Sequence, residues 1–301
     1  MTAGEMAARA EALIARVGFN TASLPNRPLA EAARIGRELG FTGIEILAFA
    51  DYRHSQGDLA GAYFDRLSAE ARALLGEVVS GFEHVSIHAP FWEIAPFSPN
   101  PGIREESRRQ LRASVAVGAS LGASTITTHV TPRPSYELAE YRDDVLAFYR
   151  ELGEVAAGGG VTVTIETGFP REIEEFAALI HDIDRPAVGA NIDVGHLRAL
   201  LTPEQQRSAE AAALYADLLM RHVRSLGAKV FHLHVHDIRA SDFRDHREFG
   251  AGILDLTPIF RRLLESDYGG LANFELEEPD DVEALARSRE RLAAVIRAAA
   301  G

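Results

Sequence analysis

Residues 161–167 read VTVTIET, an apolar run of strand length that ends on the carboxylate Glu166. Three later runs have the same design: VGANIDV at 188–194, VFHLHVHD at 230–237 and LANFELE at 271–277. Each carries a residue of metal-ligand type near its carboxyl end, and a helical pattern separates each run from the next. A carboxylate that ends an apolar parallel strand is costly unless it is paired or binds a metal. The four runs therefore predict parallel strands that carry ligand groups to one edge of a sheet.

Four earlier runs extend this alternation of strands and helices toward the amino terminus. They are VGFNTAS at 17–23, GIEILA at 43–48, HVSIHAP at 84–90 and STITTHV at 124–130. Eight strands that alternate with amphipathic helices indicate a parallel sheet closed into a single (β/α)8 TIM barrel. Barrels of this kind are typically about 250 residues long, so we expect residues 1–301 to form one domain. The ligand groups would then meet at the rim formed by the carboxyl ends of the strands.

Composition narrows the class of protein. With 47% hydrophobic residues the chain can bury a sizeable core, and no apolar run reaches the roughly 20 residues that span a bilayer. The opening residues mix charges with alanines, which is typical of a surface helix rather than a secretory signal. The absence of cysteine excludes disulfides and thiolate-bound zinc, and we expect a soluble cytoplasmic protein. A net charge of -13 disfavours nucleic acid as a partner, because phosphate binding depends on basic residues.

Four residues are the candidate metal ligands: Glu166, Asp193, His234 and Glu275. Taken singly they have other interpretations, such as a salt bridge to a rim arginine for Glu166 or a helix N-cap for Asp193. In the run at 230–237, His232, His234 and His236 alternate and therefore share one face of the strand. We expect His232 to be a buried layer residue, His234 to be the ligand, and His236 to support the site or hold substrate.

Four further histidines fall at strand ends or in the loops that follow them: His88, His129, His196 and His246. A lone histidine is more often structural, but beside the carboxylates these four are expected to bind substrate hydroxyls or additional metal ions. Imidazole and carboxylate without thiolate suit Mn, Zn or Co, and also Fe, whereas Mg is compatible but prefers oxygen. The expected cofactor is therefore a divalent metal ion. Glu277 and Glu278, beyond the last ligand, are expected to be loop charges.

Two segments are longer than a plain strand-to-helix connection: residues 49–64 and residues 91–102. Loops on the catalytic rim of a barrel usually hold the substrate, so both segments are candidate lids. The second is rich in proline and aromatic residues. Its Phe91 and Trp92 are expected to bind substrate by covering the apolar face of a sugar.

Seven short motifs follow one another along the predicted rim. They are IHAPF at 87–91, TTHVTP at 127–132, TIETG at 164–168, NIDVGH at 191–196, HLHVHD at 232–237, DHREFGAGILDL at 245–256 and NFELEE at 273–278. In this order they resemble the xylose isomerase-like barrel superfamily over nearly the whole chain. That superfamily includes sugar-phosphate isomerases and epimerases, ketose 3-epimerases, inosose dehydratases and type IV apurinic endonucleases. The resemblance implies that Glu166, Asp193, His234 and Glu275 hold the metal that these enzymes share.

The apurinic endonucleases of this superfamily bind two further zinc ions through histidines at positions similar to the four rim histidines. One of their third-zinc carboxylates precedes the last histidine by two residues, where this chain has Arg244. Asp242 or Asp245 could supply the missing zinc carboxylate. The arginine at position 244 disfavours a complete trinuclear zinc centre.

Lys229 is the only lysine, and it lies at the start of its strand, away from the rim. Schiff-base chemistry is therefore disfavoured, and so is the lysine-assisted hydride shift of xylose isomerase proper. The leading hypothesis is a metal-dependent isomerase or epimerase of a sugar or related polyol ketone, acting through an enediolate. Glu166 and Glu275 would transfer the proton as base and acid. No Gly-rich phosphate-binding fingerprint is visible, so a phosphorylated substrate is not expected.

Three other functions stay open. A dehydratase or lyase acting on a keto-sugar or cyclitol begins with the same proton abstraction. A zinc-dependent apurinic endonuclease fits the histidine count but not the net charge, and a barrel that only binds a ligand would hold no metal. The expected partner is a small carbohydrate-like molecule, without a membrane or nucleic acid, and self-association into a homo-oligomer is compatible with the fold class.

Overall fold

Eight parallel strands close into a barrel in the computed structural model, which describes residues 2–54 and 57–301. The strands are β1 (Val17–Asn20), β2 (Gly43–Leu47), β3 (His84–His88), β4 (Thr125–Thr128), β5 (Thr162–Glu166), β6 (Val188–Asp193), β7 (Val230–Val235) and β8 (Leu271–Phe274). Each strand pairs in parallel with the next, and β8 pairs with β1 to complete the ring. A separate antiparallel pair joins Arg53–His54 to Gly57–Asp58. The predicted TIM barrel is confirmed.

Helices pack around the outside of the barrel. They are α1 (Ala3–Ile14), α2 (Leu29–Glu38), α3 (Ala69–Val79), α4 (Pro101–Ser120), α5 (Arg142–Gly158), α6 (Ile173–Ile183), α7 (Pro203–Gln206), α8 (Ala211–Leu226), α9 (Thr257–Glu265) and α10 (Asp281–Ala300). Short 3₁₀ helices occupy Thr21–Ser23, Phe64–Arg66, Leu138–Glu140, His196–Leu200 and Gly227–Lys229. Local sequence sets where helices begin: before α4, the Asn100 side chain accepts a hydrogen bond from the Gly102 N–H, and Pro101 takes the first helical position. Within the described ranges, no helix combines the length and apolar character of a membrane span.

Successive side chains along each strand point to opposite faces of the sheet and so form two buried layers. In β2, Ile44 and Ile46 are fully buried on the face that packs against the helices, whereas Glu45 lies on the opposite face and contacts β7 across the barrel. The apolar core therefore lies between sheet and helices. The barrel interior holds a buried polar set, comprising Asn20, Glu45, Ser86, His88, Thr127, Thr164, Asn191, Asp193, His232, His234 and Asn273.

The two predicted lids meet over the carboxyl-end rim through an aromatic cluster. Phe49 and Tyr52 come from the loop after β2, and Phe91 and Trp92 come from the loop after β3. The ring centroid of Phe49 is 5.5 Å from that of Phe91 and 5.8 Å from that of Trp92, and Tyr52 is 5.4 Å from Trp92. Residues 55 and 56 of the first predicted lid lie outside the described residues. The cluster joins both loops into one wall.

A buried carboxylate holds the long loop after β7, which carries His246. Asp237 accepts hydrogen bonds from four backbone N–H groups, among them those of Gly250 and Gly252 at 3.0 Å each. Glycine is required at position 252, because a Cβ there would lie 2.3 Å from Asp237 Oδ1. This clamp fixes the course of the loop and so the place of His246 at the rim.

Candidate metal centre

Four ligand groups converge at the carboxyl ends of β5 to β8. Glu166 ends β5, Asp193 ends β6, His234 lies in β7 and Glu275 directly follows β8. One possible ligand atom from each lies within 4.8 Å of all the others. His234 Nδ1 is 3.1 Å from Glu166 Oε2 and 2.9 Å from Glu275 Oε2. The structure thus brings together the four residues that the sequence predicts as ligands.

Two buried atoms of this group, His234 Nδ1 and Asp193 Oδ2, have no hydrogen-bond partner. A buried polar atom left unsatisfied costs about 1–3 kcal/mol. The oxygens that face His234 Nδ1 belong to Glu166 and Glu275, and since ionised carboxylates only accept, either a proton on Nδ1 or a bound cation must lie between them. Three carboxylates and one imidazole form a donor set that suits a divalent cation. The residues therefore fit a metal ion, and these four would hold it.

Two histidines from the first half of the barrel border Glu166. His88 Nε2 lies 3.4 Å and His129 Nε2 lies 3.5 Å from Glu166 Oε2, and the two imidazole nitrogens are 3.4 Å apart. The three side chains form a second group with the geometry of metal ligands. Burial lowers the pKa of His129 to about 4, although the nearby carboxylate of Glu166 opposes this shift.

Two histidines from the second half border Asp193. His196 Nε2 lies 3.8 Å from Asp193 Oδ1, and His246 Nε2 lies 3.8 Å from Asp193 Oδ2, which makes a third group of metal-ligand geometry. His236 Nε2 contacts Asp193 Oδ1 at 2.9 Å, and its ring stacks on that of His246 with centroids 4.3 Å apart. His236 is fully buried, so it supports Asp193 and His246 from behind.

Ion pairs occupy the position where the endonucleases carry a further zinc carboxylate. Arg244 donates to Glu277 Oε2 at 2.7 Å, and the nearby Asp245 accepts from Arg198 at 2.5 Å. Asp242 pairs with Arg239, a neighbour on the same loop. Across the described residues, neither aspartate belongs to a group of metal-ligand geometry.

Glu277 and Glu278 lie in the loop after β8, as expected from sequence, and both are ion-paired. Both carboxylates lie within 3.3 Å of the guanidinium of Arg247, whose side chain is only 6% exposed. A buried charge is tolerated when partners of opposite charge surround it. This network ties the segment after Glu275 to the clamped loop that carries His246.

Glu45 is a functional candidate that the sequence reasoning missed. It is fully buried in the middle of β2, below the ligand groups, and its carboxylate lies 2.8 Å from His232 Nε2 and 2.9 Å from His234 Nε2. The available signal was a single charged residue inside the apolar run GIEILA. His232 is fully buried, as expected, and its partner is this carboxylate.

The electrostatics of the centre favour positive charge. Burial raises the pKa of Glu166, but His129 and His234 outweigh this effect and hold it well below the usual range. Burial lowers the pKa of His234, and the carboxylates of Glu45 and Glu166 reverse the shift to well above the ordinary value. For His246, burial is likewise outweighed by nearby carboxylates, first that of Asp245, and its pKa rises to about 10. The same field would stabilise a divalent cation.

A cavity of about 160 Å³ opens directly above the ligand groups. Its polar lining consists of Glu166, Glu275, Glu277 and the rim histidines. Its apolar lining is formed by Ala22, Leu47, Phe49, Leu59, Phe91, Trp92 and Leu276. Among the described residues that line it, none is an arginine or a lysine. The cavity can therefore hold a small molecule with a polar end at the ligand groups and a less polar end at the aromatic wall.

Comparison with known proteins identifies the class. Residues 33–297 match the family model of the xylose isomerase-like TIM barrel, so this chain belongs to that family. Two uncharacterized proteins of Methanocaldococcus jannaschii are relatives. MJ1311 is 22% identical over 200 residues, which cover 64% of this chain and 64% of that protein, just under two thirds of its length. MJ1188 is 21% identical over 273 residues, which cover 87% of this chain and 89% of that protein.

Several solved structures share the fold. A D-tagatose 3-epimerase-like protein superposes with a TM-score of 0.70 at 20% identity, covering 93% of this chain and 98% of that chain. An L-ribulose 3-epimerase gives a TM-score of 0.70 at 15% identity, covering 94% and 95%. A xylose isomerase-like TIM barrel protein from Mycobacterium smegmatis, in complex with magnesium, gives 0.67 at 20% identity, covering 95% and 98%.

Proposed function

We propose that this chain is a divalent-metal-dependent isomerase or epimerase of an unphosphorylated sugar or related polyol ketone. The observation that carries the proposal is the group of three carboxylates and one imidazole, with two unsatisfied buried atoms, on the floor of a cavity with an aromatic wall. Structural neighbours described as 3-epimerases, and one that contains magnesium, support it. Mn, Zn, Co and Mg are all compatible with the donor set.

A bound metal ion would supply Lewis acidity, which acidifies the C–H beside a substrate carbonyl and stabilises the negative charge that develops on oxygen. Glu166 and Glu275 approach the centre from different strands, β5 and β8, and both contact His234 Nδ1. One carboxylate would remove the proton from one face of the substrate and the other would return it. General acid–base catalysis of this kind contributes roughly 10²- to 10⁴-fold.

The remaining residues of the cavity would orient the substrate and exclude water. His88, His129, His196 and His246 surround the ligand groups and would bind hydroxyls. Trp92 and its aromatic neighbours would cover the less polar end of the substrate. A phosphate group would find no arginine or lysine among the described lining residues, which is why the proposed substrate is unphosphorylated.

The first test is the metal content of the purified protein, measured by elemental analysis before any chelator is used. About one divalent ion per chain is expected. Ketoses and cyclitol ketones are then incubated with the protein in D₂O and followed by NMR. Epimerisation or isomerisation with deuterium beside the carbonyl supports the proposal, and loss of water would identify a dehydratase or lyase instead. Metal-loaded protein that exchanges no proton in any ketone would contradict it.

A second candidate, a zinc-dependent phosphodiesterase acting on abasic DNA, is favoured by one observation. Of the four groups of metal-ligand geometry among the described residues, the central one shares Glu166 with the group of His88 and His129, and shares Asp193 with the group of His196 and His246, which is the arrangement needed for clustered metals. The net charge of -13 and the ion-paired Arg244 oppose it. Two or three zinc ions per chain together with cleavage of abasic DNA would favour this function, whereas one ion per chain and no cleavage would exclude it.

A further inference from the structure

Glu45 spans the barrel interior beneath the candidate metal centre. It belongs to β2, whereas both of its histidine partners belong to β7, and two strands of the ring, β1 and β8, lie between them. Its side chain is fully buried. A buried carboxylate in this place is expensive unless several donors satisfy it.

The carboxylate is saturated with hydrogen bonds. Its Oε1 accepts from His234 Nε2 at 2.9 Å and from Asn20 Nδ2 at 3.2 Å. Its Oε2 accepts from His232 Nε2 at 2.8 Å, from Ser86 Oγ at 2.8 Å and from Asn273 Nδ2 at 3.0 Å. Donors from β1, β3, β7 and β8 thus hold Glu45 in one position.

The two ring nitrogens of His234 face different carboxylates. Nε2 faces Glu45 Oε1, while Nδ1 faces the oxygens of Glu166 and Glu275 and has no hydrogen-bond partner. Because an ionised carboxylate can only accept, Nε2 carries a proton directed at Glu45, whether or not Nδ1 is also protonated. Once a metal ion replaces the proton on Nδ1, the lone pair of Nδ1 points into the group of candidate ligands.

We propose that Glu45 is the positioning residue of the metal centre: it fixes the tautomer and orientation of His234 so that Nδ1 binds the metal. The carboxylate also polarises the imidazole, which makes Nδ1 a stronger donor. This inference rests on the metal centre of the proposed function but not on the identity of the sugar. Loss of such a partner typically lowers metal affinity about 10- to 100-fold.

The test compares two variants that disturb the same carboxylate. Glu45→Gln keeps the size of the side chain but replaces one acceptor oxygen by a donor, and Mn²⁺ affinity, measured by EPR titration, is expected to fall about 10- to 100-fold. His232→Gln removes the other imidazole from Glu45 and leaves the contact between Glu45 and His234 in place. It is expected to bind Mn²⁺ within about threefold of the native protein, with circular dichroism as the check of folding in both variants.

A second measurement needs no variant. In Co²⁺-loaded native protein, the ring Nε2–H of His234 should appear in the NMR spectrum as a paramagnetically shifted signal protected from exchange, because that proton is buried against Glu45. Absence of the signal would overturn the proposal even if Glu45→Gln failed to fold.

The possible outcomes distinguish failure of the role proposed for Glu45 from failure of the proposed metal centre. Native Mn²⁺ affinity in folded Glu45→Gln, or an equal loss in His232→Gln, would overturn the role of Glu45 and leave the metal centre standing. Native protein that binds no divalent ion at all would overturn both.

Discussion

Lys229, Thr125 and Thr162, at the amino-terminal end of the barrel, are paired with protein atoms, whereas two buried atoms of the candidate metal centre at the carboxyl end are not. At the amino-terminal end, Lys229 Nζ donates to the carbonyls of Arg185 and Val188 at 2.8 and 3.1 Å, and the hydroxyls of Thr125 and Thr162 lie 3.2 Å apart. At the carboxyl end, His234 Nδ1 and Asp193 Oδ2 have no hydrogen-bond partner. Satisfied polar groups stabilise a fold, and unsatisfied ones that converge on a cavity are available to a ligand. The two ends therefore separate structure from function.

The largest effect is expected when a candidate ligand at the carboxyl end of the barrel is removed. Glu166→Gln is expected to abolish stoichiometric metal binding and to lower turnover by at least roughly 10²-fold, because the same carboxylate serves as ligand and proton carrier. The control is Glu174→Gln, which alters an exposed glutamate that pairs with Arg221. Elemental analysis and a turnover assay provide the readout. Full metal content in Glu166→Gln would show that the four groups are not the ligands.

Removal of the metal should cost stability, because ligands from four strands lose the ion that joins them. At a metal concentration of 100 Kd, binding stabilises the native state by about 2.7 kcal/mol, so chelation should lower Tm by several degrees. Calorimetry with and without EDTA measures the shift. The shift should vanish in Glu166→Gln, and the same shift in that variant would mean that EDTA acts elsewhere.

The aromatic wall is expected to affect substrate binding without affecting the metal. Trp92→Ala should raise KM about tenfold, the effect of losing one apolar pocket contact, and leave Mn²⁺ affinity unchanged. Trp92→Phe retains an aromatic ring and should lie close to the native protein. Trp92 is also the only tryptophan, so a bound ketose should change the intrinsic fluorescence. If a ketose that the protein converts leaves the fluorescence spectrum unchanged, that substrate binds away from this wall.

The smallest effect is expected at the amino-terminal end. Lys229→Gln weakens the hydrogen bonds to two carbonyls and should destabilise the protein by about 1 kcal/mol, as measured by urea denaturation. Metal content and turnover should stay at native values. A fall in turnover larger than twofold would show that the two ends are coupled.

Sequence patterns predicted the barrel and its candidate ligands because both follow from local rules. The strand runs alternate with helices, and Glu166, Asp193, His234 and Glu275 occur at or near the ends of such runs, where parallel strands share an edge. Trp92 was predicted to bind substrate because it lies in a long rim loop; it lines the cavity, and its contact with substrate stays a prediction.

The parts that escaped prediction depend on contacts between distant positions. Glu45 is in the middle of a strand, and its partners lie 187 and 189 residues further along the chain. Arg247 is buried between Glu277 and Glu278, in the same loop that Asp237 clamps. No local pattern indicates either arrangement, since each requires the course of a loop or the diameter of the closed barrel.

Under the proposed function, the separation of candidate ligands and apolar wall along the chain has a consequence for evolution. The four candidate ligands lie between positions 166 and 275, whereas most of the apolar wall of the cavity comes from residues 22–92. Mutations in the earlier segment can reshape the wall while the later segment keeps its chemistry. Under the proposed function, selection for a new sugar should therefore accumulate changes in residues 22–92, with Glu45 and His88 as positions there that stay fixed.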